Sequence, residues 1–190
     1  MSSITRAAPP MVGIYGHVLP FNGVMPRIAE GVFIAPGAVV VGDVEIGPGS
    51  SVWYNAVIRG DVNRITIGRS TNIQDCSVIH VSARDGVVIG DDVLVGHLCM
   101  LHGCTLQDGC FIGMKSTILD AATVETGAMV AAAALVSPRK VVTAGKLWAG
   151  SPAVPMRDLS PEEIARFKVA TDGYAGHAGA HAASLAMAAE

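Results

Sequence analysis

A chain of 190 residues with a formal net charge of −3 and no basic run lacks the electrostatic footprint of a nucleic-acid binder. No apolar stretch approaches the length needed to span a bilayer, so a membrane partner is not expected either. Half of the residues, 51%, are hydrophobic, yet only 5% are aromatic and 22 are glycine, which points to one domain of small aliphatic side chains and tight corners.

The first ten residues, MSSITRAAPP, contain one arginine and no apolar segment of a secretion signal, so a cytoplasmic chain is expected. Residues 1–30 read as an N-terminal cap, with His17 a structural side chain within it. From Ile34 onward, aliphatic residues recur every six positions: Ile34, Val40, Ile46, Val52 and Ile58. A three-residue insertion precedes Ile67, Ile73 and Ile79, and a four-residue insertion precedes Ile89, Val95 and Leu101. One shortened hexad then leads to Leu106, Ile112, Ile118, Val124, Val130, Val136, Val142 and Trp148. Glycine often follows the aliphatic residue, as at Gly47, Gly68 and Gly90.

A helix needs apolar positions near every 3.6 residues and an exposed strand alternates every two, so a period of six fits neither. It fits a coil of short strands in which three hexads close one triangular turn. The fold class is therefore all-β with a C-terminal helix: a parallel β-helix over residues 31–155, about six turns long. After it, Ser160, Pro161 and Glu163 form the N-cap, first position and capping box of a helix expected from about Pro161 to Thr171, stopping at Gly173. The rest of 156–190 is rich in Ala and Gly and reads as a frayed continuation, with His177 and His181 an incidental surface pair.

The chemistry lies in VGHLCMLHGC, residues 95–104, where His97 and His102 stand five apart. Ile58, Ile79 and Leu101 are three hexads apart, so they stack on one side of successive turns. The residues that follow them, Arg59, His80 and His102, form a polar column. His97 precedes this column by one hexad and faces another side of the triangle. Three prisms packed about a three-fold axis would bring His97 of one chain against His80 and His102 of the next. Three imidazoles would then leave one position of a tetrahedral zinc open, the pattern of a catalytic site. Such a site lowers the pKa of its water to roughly 7. The four cysteines, Cys76, Cys99, Cys104 and Cys110, lack CxxC spacing and read as free thiols packed as small hydrophobes.

The segments AVIRGDVNRITIG, TNIQDCSVIH, VGHLCMLHGC and LWAGSP, in this order, resemble the γ-class carbonic anhydrase family over about residues 12–175. The resemblance implies a left-handed β-helix, a homotrimer, and reversible hydration of carbon dioxide to bicarbonate by hydroxide on zinc, with iron or cobalt as substitutes. It implies metal ligation by His80 and His102 of one subunit and His97 of the next, and interfacial ion pairs at Arg59, Asp61 and Asp75. Gln74 and Asn72 match polar residues near the metal-bound solvent, and Tyr174 matches a tyrosine that enters the site from the C-terminal helix. Two features depart from the archaeal type: Val62 stands where a glutamate follows the aspartate, and the loop between His80 and His97 is short and has no glutamate. Both resemble the short-loop bacterial branch, which lacks these proton-shuttling groups. Two other readings fit the repeat: a catalytically weak or inactive metal-stabilised trimeric scaffold, and a hexapeptide acyltransferase using a single histidine.

Overall fold

The computed structural model describes residues 13–188, so the leader reading and the first part of the expected cap, 1–12, lie outside the described residues. The chain winds into a parallel β-solenoid of about 7 turns with one C-terminal helix. One face stacks Phe33–Ile34, Ser51–Val52, Asn72–Ile73, Leu94–Val95, Phe111–Ile112, Met129–Val130 and Lys146–Gly150 in parallel. The second stacks Val18, Val40, Ile58, Ile79, Leu101, Ile118 and Val136 as direct partners. The third does the same with Ile28, Ile46, Ile67, Ile89, Leu106, Val124 and Val142.

The turn beyond the expected six comes from the N-terminal segment. His17–Leu19 pairs with Val39–Val41, and Arg27–Ile28 with Glu45–Ile46, adding a coil in register. Its inward residues Val18 and Ile28 are ten apart, so the six-residue period does not reach them. The hexad aliphatics fill the prism: Ile34, Ile58, Ile79, Leu101, Ile112 and Ile118 have no exposed surface. Cys99, Cys104 and Cys110 lie in the same core, and burial raises their thiols, Cys99 to about 11 and Cys104 to about 12. They are inert packing residues. Corners are turned in the left-handed region, at Gly37 and Gly49 but also at Asn55, Ser70, Cys76 and Leu98.

The helix is longer than its sequence suggests, running over Pro161–Met187 and through Gly173 without a break. Its capping box forms as expected: Ser160 Oγ accepts from the Glu163 amide at 3.2 Å, and Glu163 Oε2 accepts from the Ser160 amide at 2.9 Å. Beyond Gly173 the helix is held by packing that outweighs the glycine cost of about 1 kcal/mol. Ala178 and Ala182 are buried with Phe33 and Trp53, and Tyr15 donates from its hydroxyl to the Ala182 carbonyl at 3.0 Å. His181 is not incidental: its Nδ1 lies 2.8 Å from the Tyr54 hydroxyl and its ring 5.1 Å from that of Trp53. The helix thereby lines the first face from Phe111, stacked on Phe167, down to Tyr15. Among the described residues no helix is long and apolar enough to cross a membrane.

Leu101→Ala, which leaves a void between Ile79 and Ile118, should cost about 2–5 kcal/mol in urea unfolding. The exposed Val169→Ala should stay within about 0.5 kcal/mol of wild type. A hydrogen bond from the Arg157 guanidinium, with one from the Ser160 amide, holds the Glu163 carboxyl down at about 2. Its folded value is below the unfolded one, so its stabilisation is complete above the ordinary carboxylate range and is lost as pH falls toward 2. The stability difference between wild type and Glu163→Ala should therefore be constant above about pH 5 and shrink steadily below pH 4.

Candidate metal centre

The register that stacks Ile58, Ile79 and Leu101 also stacks the residues after them, Arg59 on His80 and His80 on His102. Alternation along a strand turns these three outward while their neighbours point into the core. His80 Nδ1 stands 3.2 Å from His102 Nε2. The opposite nitrogen of each ring meets a carboxylate: His80 Nε2 donates to Asp61 Oδ1 at 3.0 Å, and His102 Nδ1 donates to Asp120 Oδ1 at 2.8 Å. Asp61 also receives the Arg59 guanidinium. Burial works against the Asp61 charge, but the bonds from His80 and Arg59 prevail and leave its carboxyl below the usual range.

His97 lies elsewhere on the same coil. It occupies the corner before the strand Met100–His102, ahead of the left-handed Leu98, whereas His102 ends that strand. The corner at Leu98 therefore stands between the two, which lie at opposite ends of one side of the coil. His97 stacks over Asp75 of the preceding coil, with Leu98 N donating to the Asp75 carbonyl at 2.9 Å. Its Nδ1 lies 2.8 Å from Asp75 Oδ2, an ion-pair distance. Of the three aspartates that stand against these histidines, Asp120 is the one that no sequence motif singles out. Its signal is positional: it lies two residues after Ile118, directly above the coil position that follows His102.

Gln74, His97 and Tyr174 line one cavity of about 430 Å³ between the first face and the helix. Leu94, Phe111, Met114 and Met129 give it an apolar wall. Gln74 is buried and its Nε2 donates to Asn72 Oδ1 at 3.0 Å. The Asn72 Nδ2 group is buried and has no partner among the described residues. Tyr174 sits edge-on to Trp53, 5.4 Å between ring centroids, and burial followed by the nearby Asp75 charge raises its phenol above the ordinary value. The structure thus brings Arg59, Asp61, His80 and His102 together in one group. Asn72, Gln74, Asp75, His97 and Tyr174 belong to another.

Among the described residues, no three His, Cys, Asp or Glu side chains of the single chain converge on one point. The His80–His102 pair nevertheless has the chemistry of a cation site. Asp61 and Asp120 each take a ring proton, so the facing nitrogens 3.2 Å apart present two lone pairs. Two lone pairs at that distance need a proton or a cation between them. Nitrogens bound to a tetrahedral zinc at about 2.0–2.1 Å are about 3.3 Å apart, so the pair fits such an ion and lacks only its further ligands.

Comparison with known proteins gives a consistent picture. The bacterial transferase hexapeptide family (six repeats) matches residues 25–60 and 86–120. Gamma carbonic anhydrase 1, mitochondrial, of Arabidopsis thaliana is 46% identical over 167 residues, covering 85% of this chain and 61% of the relative. The chain thus spans about three fifths of the length of that plant relative. A carbonic anhydrase of Geobacillus kaustophilus is 42% identical over 147 residues, covering 77% of this chain and 81% of the relative. The crystal structure of a hexapeptide transferase family protein from Anaplasma phagocytophilum superposes with a TM-score of 0.82 at 42% identity, covering 85% of this chain and 95% of that one.

Proposed function

The chain belongs to the γ-class carbonic anhydrase family, and from that membership we propose that it interconverts carbon dioxide and bicarbonate in a homotrimer. The observation that carries this reading is the His80–His102 pair, whose facing nitrogens are both left as acceptors by their carboxylate partners. His97 of a neighbouring subunit completes the set. Asp75 holds its Nδ1 and leaves Nε2 as the ligating nitrogen, and Leu98 and Met114 around it expose 52% and 53% of their surface, an apolar rim suited to a second copy. His80, His102 and the neighbouring subunit's His97 would hold a divalent cation, zinc with iron or cobalt as substitutes, which when bound would make hydroxide available at neutral pH.

The chain's own residues supply the rest. The apolar wall of Leu94, Phe111, Met114 and Met129 favours a small neutral molecule such as carbon dioxide over water. Gln74, held by Asn72, presents its amide at the cavity surface to orient the attacking oxygen or the bicarbonate product. Arg59 and Asp61 fix His80 and meet the neighbouring subunit. Tyr174, with its raised phenol, remains protonated at neutral pH, so it donates a hydrogen bond and does not act as a base. Where a shuttle carboxylate would stand, the chain places Val62, 58% exposed. The Asp85 carboxylate, in the short loop, accepts from the Ser82 hydroxyl at 3.5 Å. That poverty of proton acceptors favours, as a second reading, a weak or inactive metal-stabilised scaffold.

Metal and assembly should be linked. His80→Ala and His97→Ala should each lose bound metal, and mixed trimers of the two should regain a fraction of intact sites, measured by elemental analysis after co-refolding. Mixed trimers with no more metal than either parent would rule out shared ligands. Proton export should limit turnover: stopped-flow hydration of carbon dioxide should be slow in weak buffer and rise with buffer concentration. Metal-loaded trimers with no hydration in any buffer would establish the scaffold reading instead.

A further inference from the structure

Each of the three histidines has a ring nitrogen against an aspartate on an adjacent coil, as a hydrogen bond at His80 and His102 and as a close ion pair at His97, but the three aspartates are not equivalent. Asp61 is shared between His80 and Arg59, and Asp75 stands near Tyr174 as well as His97. Asp120 pairs, among the described residues, with His102 alone. The coil makes room for it at Gly103, the residue directly after His102. Gly103 has φ +54°, and a Cβ built there would stand 2.5 Å from the Asp120 carboxylate oxygen, well inside van der Waals contact. Any side chain at 103 would displace the carboxylate from the position in which it meets His102 Nδ1 at 2.8 Å. Glycine here serves both the left-handed turn and the approach of Asp120.

We infer that Asp120, seated in the space Gly103 leaves open, is a positioning residue: it keeps His102 in its Nδ1–H form and so directs the Nε2 lone pair at His80 and at a divalent cation. A neutral imidazole has one N–H and one lone pair, and whichever nitrogen meets a carboxylate keeps the proton. Outer carboxylates of this kind fix ring orientation and raise ligand basicity, and their loss costs 10–100-fold in metal affinity. The inference rests on the metal reading above for its affinity effect. Its effect on the tautomer stands without metal.

Nitrogen-15 NMR of the metal-free protein, with histidine labelled, reads the His102 tautomer directly. Wild type should show His102 protonated at Nδ1, and Asp120→Ala should move the proton to Nε2. Asp120→Asn keeps an acceptor oxygen, so it should retain the Nδ1–H form. Competition with a chelator for Zn²⁺ should show affinity falling about 10–100-fold in Asp120→Ala and less in Asp120→Asn. Asp85→Asn, beside Gly103 but not bonded to His102, should change neither measurement. A wild-type tautomer and wild-type affinity in Asp120→Ala would overturn the inference. If instead wild type and His102→Ala hold Zn²⁺ equally weakly, the metal reading fails while the NMR still decides the role of Asp120.

Discussion

The whole molecule depends on one constraint, the in-register stacking of coils through backbone hydrogen bonds along the prism. Each coil satisfies the amides of its neighbour, as when Val78 donates to the Cys99 carbonyl at 2.8 Å and Met100 donates to Ser116 at 2.9 Å. A residue's position is therefore fixed by its place within the turn, and residues far apart in sequence meet at about 4.8 Å spacing. Insertions are tolerated only where they leave that register intact. The residues between Gly60 and Ile65 shift the pairing locally, and the turn at Ser82–Asp85 closes on itself. Both excursions rise from the corner next to the Arg59–His80–His102 column. The polar groups Asp61 and Asp85 are placed there without disturbing the aliphatic core.

This constraint explains why so much is legible in the sequence. A six-residue period converts chain position into coil position by counting. Arithmetic alone therefore puts Arg59, His80 and His102 on one column, and the strands pair them so. Counting fails where the period is broken. The N-terminal coil lacks the hexad because Pro20 and Pro26 punctuate a longer excursion between Val18 and Ile28. The helix outruns its local signal for another reason. Glycine propensity and low hydrophobicity argue for a stop at Gly173, but Trp53, Phe33 and Tyr15 on a distant part of the chain supply the burial that overrides them. Local propensity cannot see a partner more than a hundred residues away.

Asp120 marks a different limit. The periodic signal identifies what points inward, because only aliphatic residues recur with that phase. Outward residues carry no such period, and an aspartate on the surface of a coil looks like any solvated acid. Its role becomes visible only when the offset between coils is known: Gly103 faces Asp120, so the carboxylate reaches diagonally to His102. That offset is the plain register of the coils, in which Leu101 pairs with Ile118 and the residues two further on face each other.

The geometry of a triangular coil also sets what one chain can do. A face only a few residues wide holds two outward histidines on stacked strands, His80 and His102, within 3.2 Å. It cannot bend a third from its far corner to the same point, since His97 is separated by the width of that face and its backbone is committed to the stack. The rigidity that aligns two nitrogens for one ion therefore prevents the same chain from enclosing it. A rigid prism that half-builds a site at its edge needs another rigid edge to finish it. In the proposed homotrimer, a three-fold arrangement would present the His97 corner of each chain to the His80–His102 column of the next. On that proposal, assembly would be the step that converts the paired histidines, each already oriented by its own aspartate, into a site with three imidazoles and one open position.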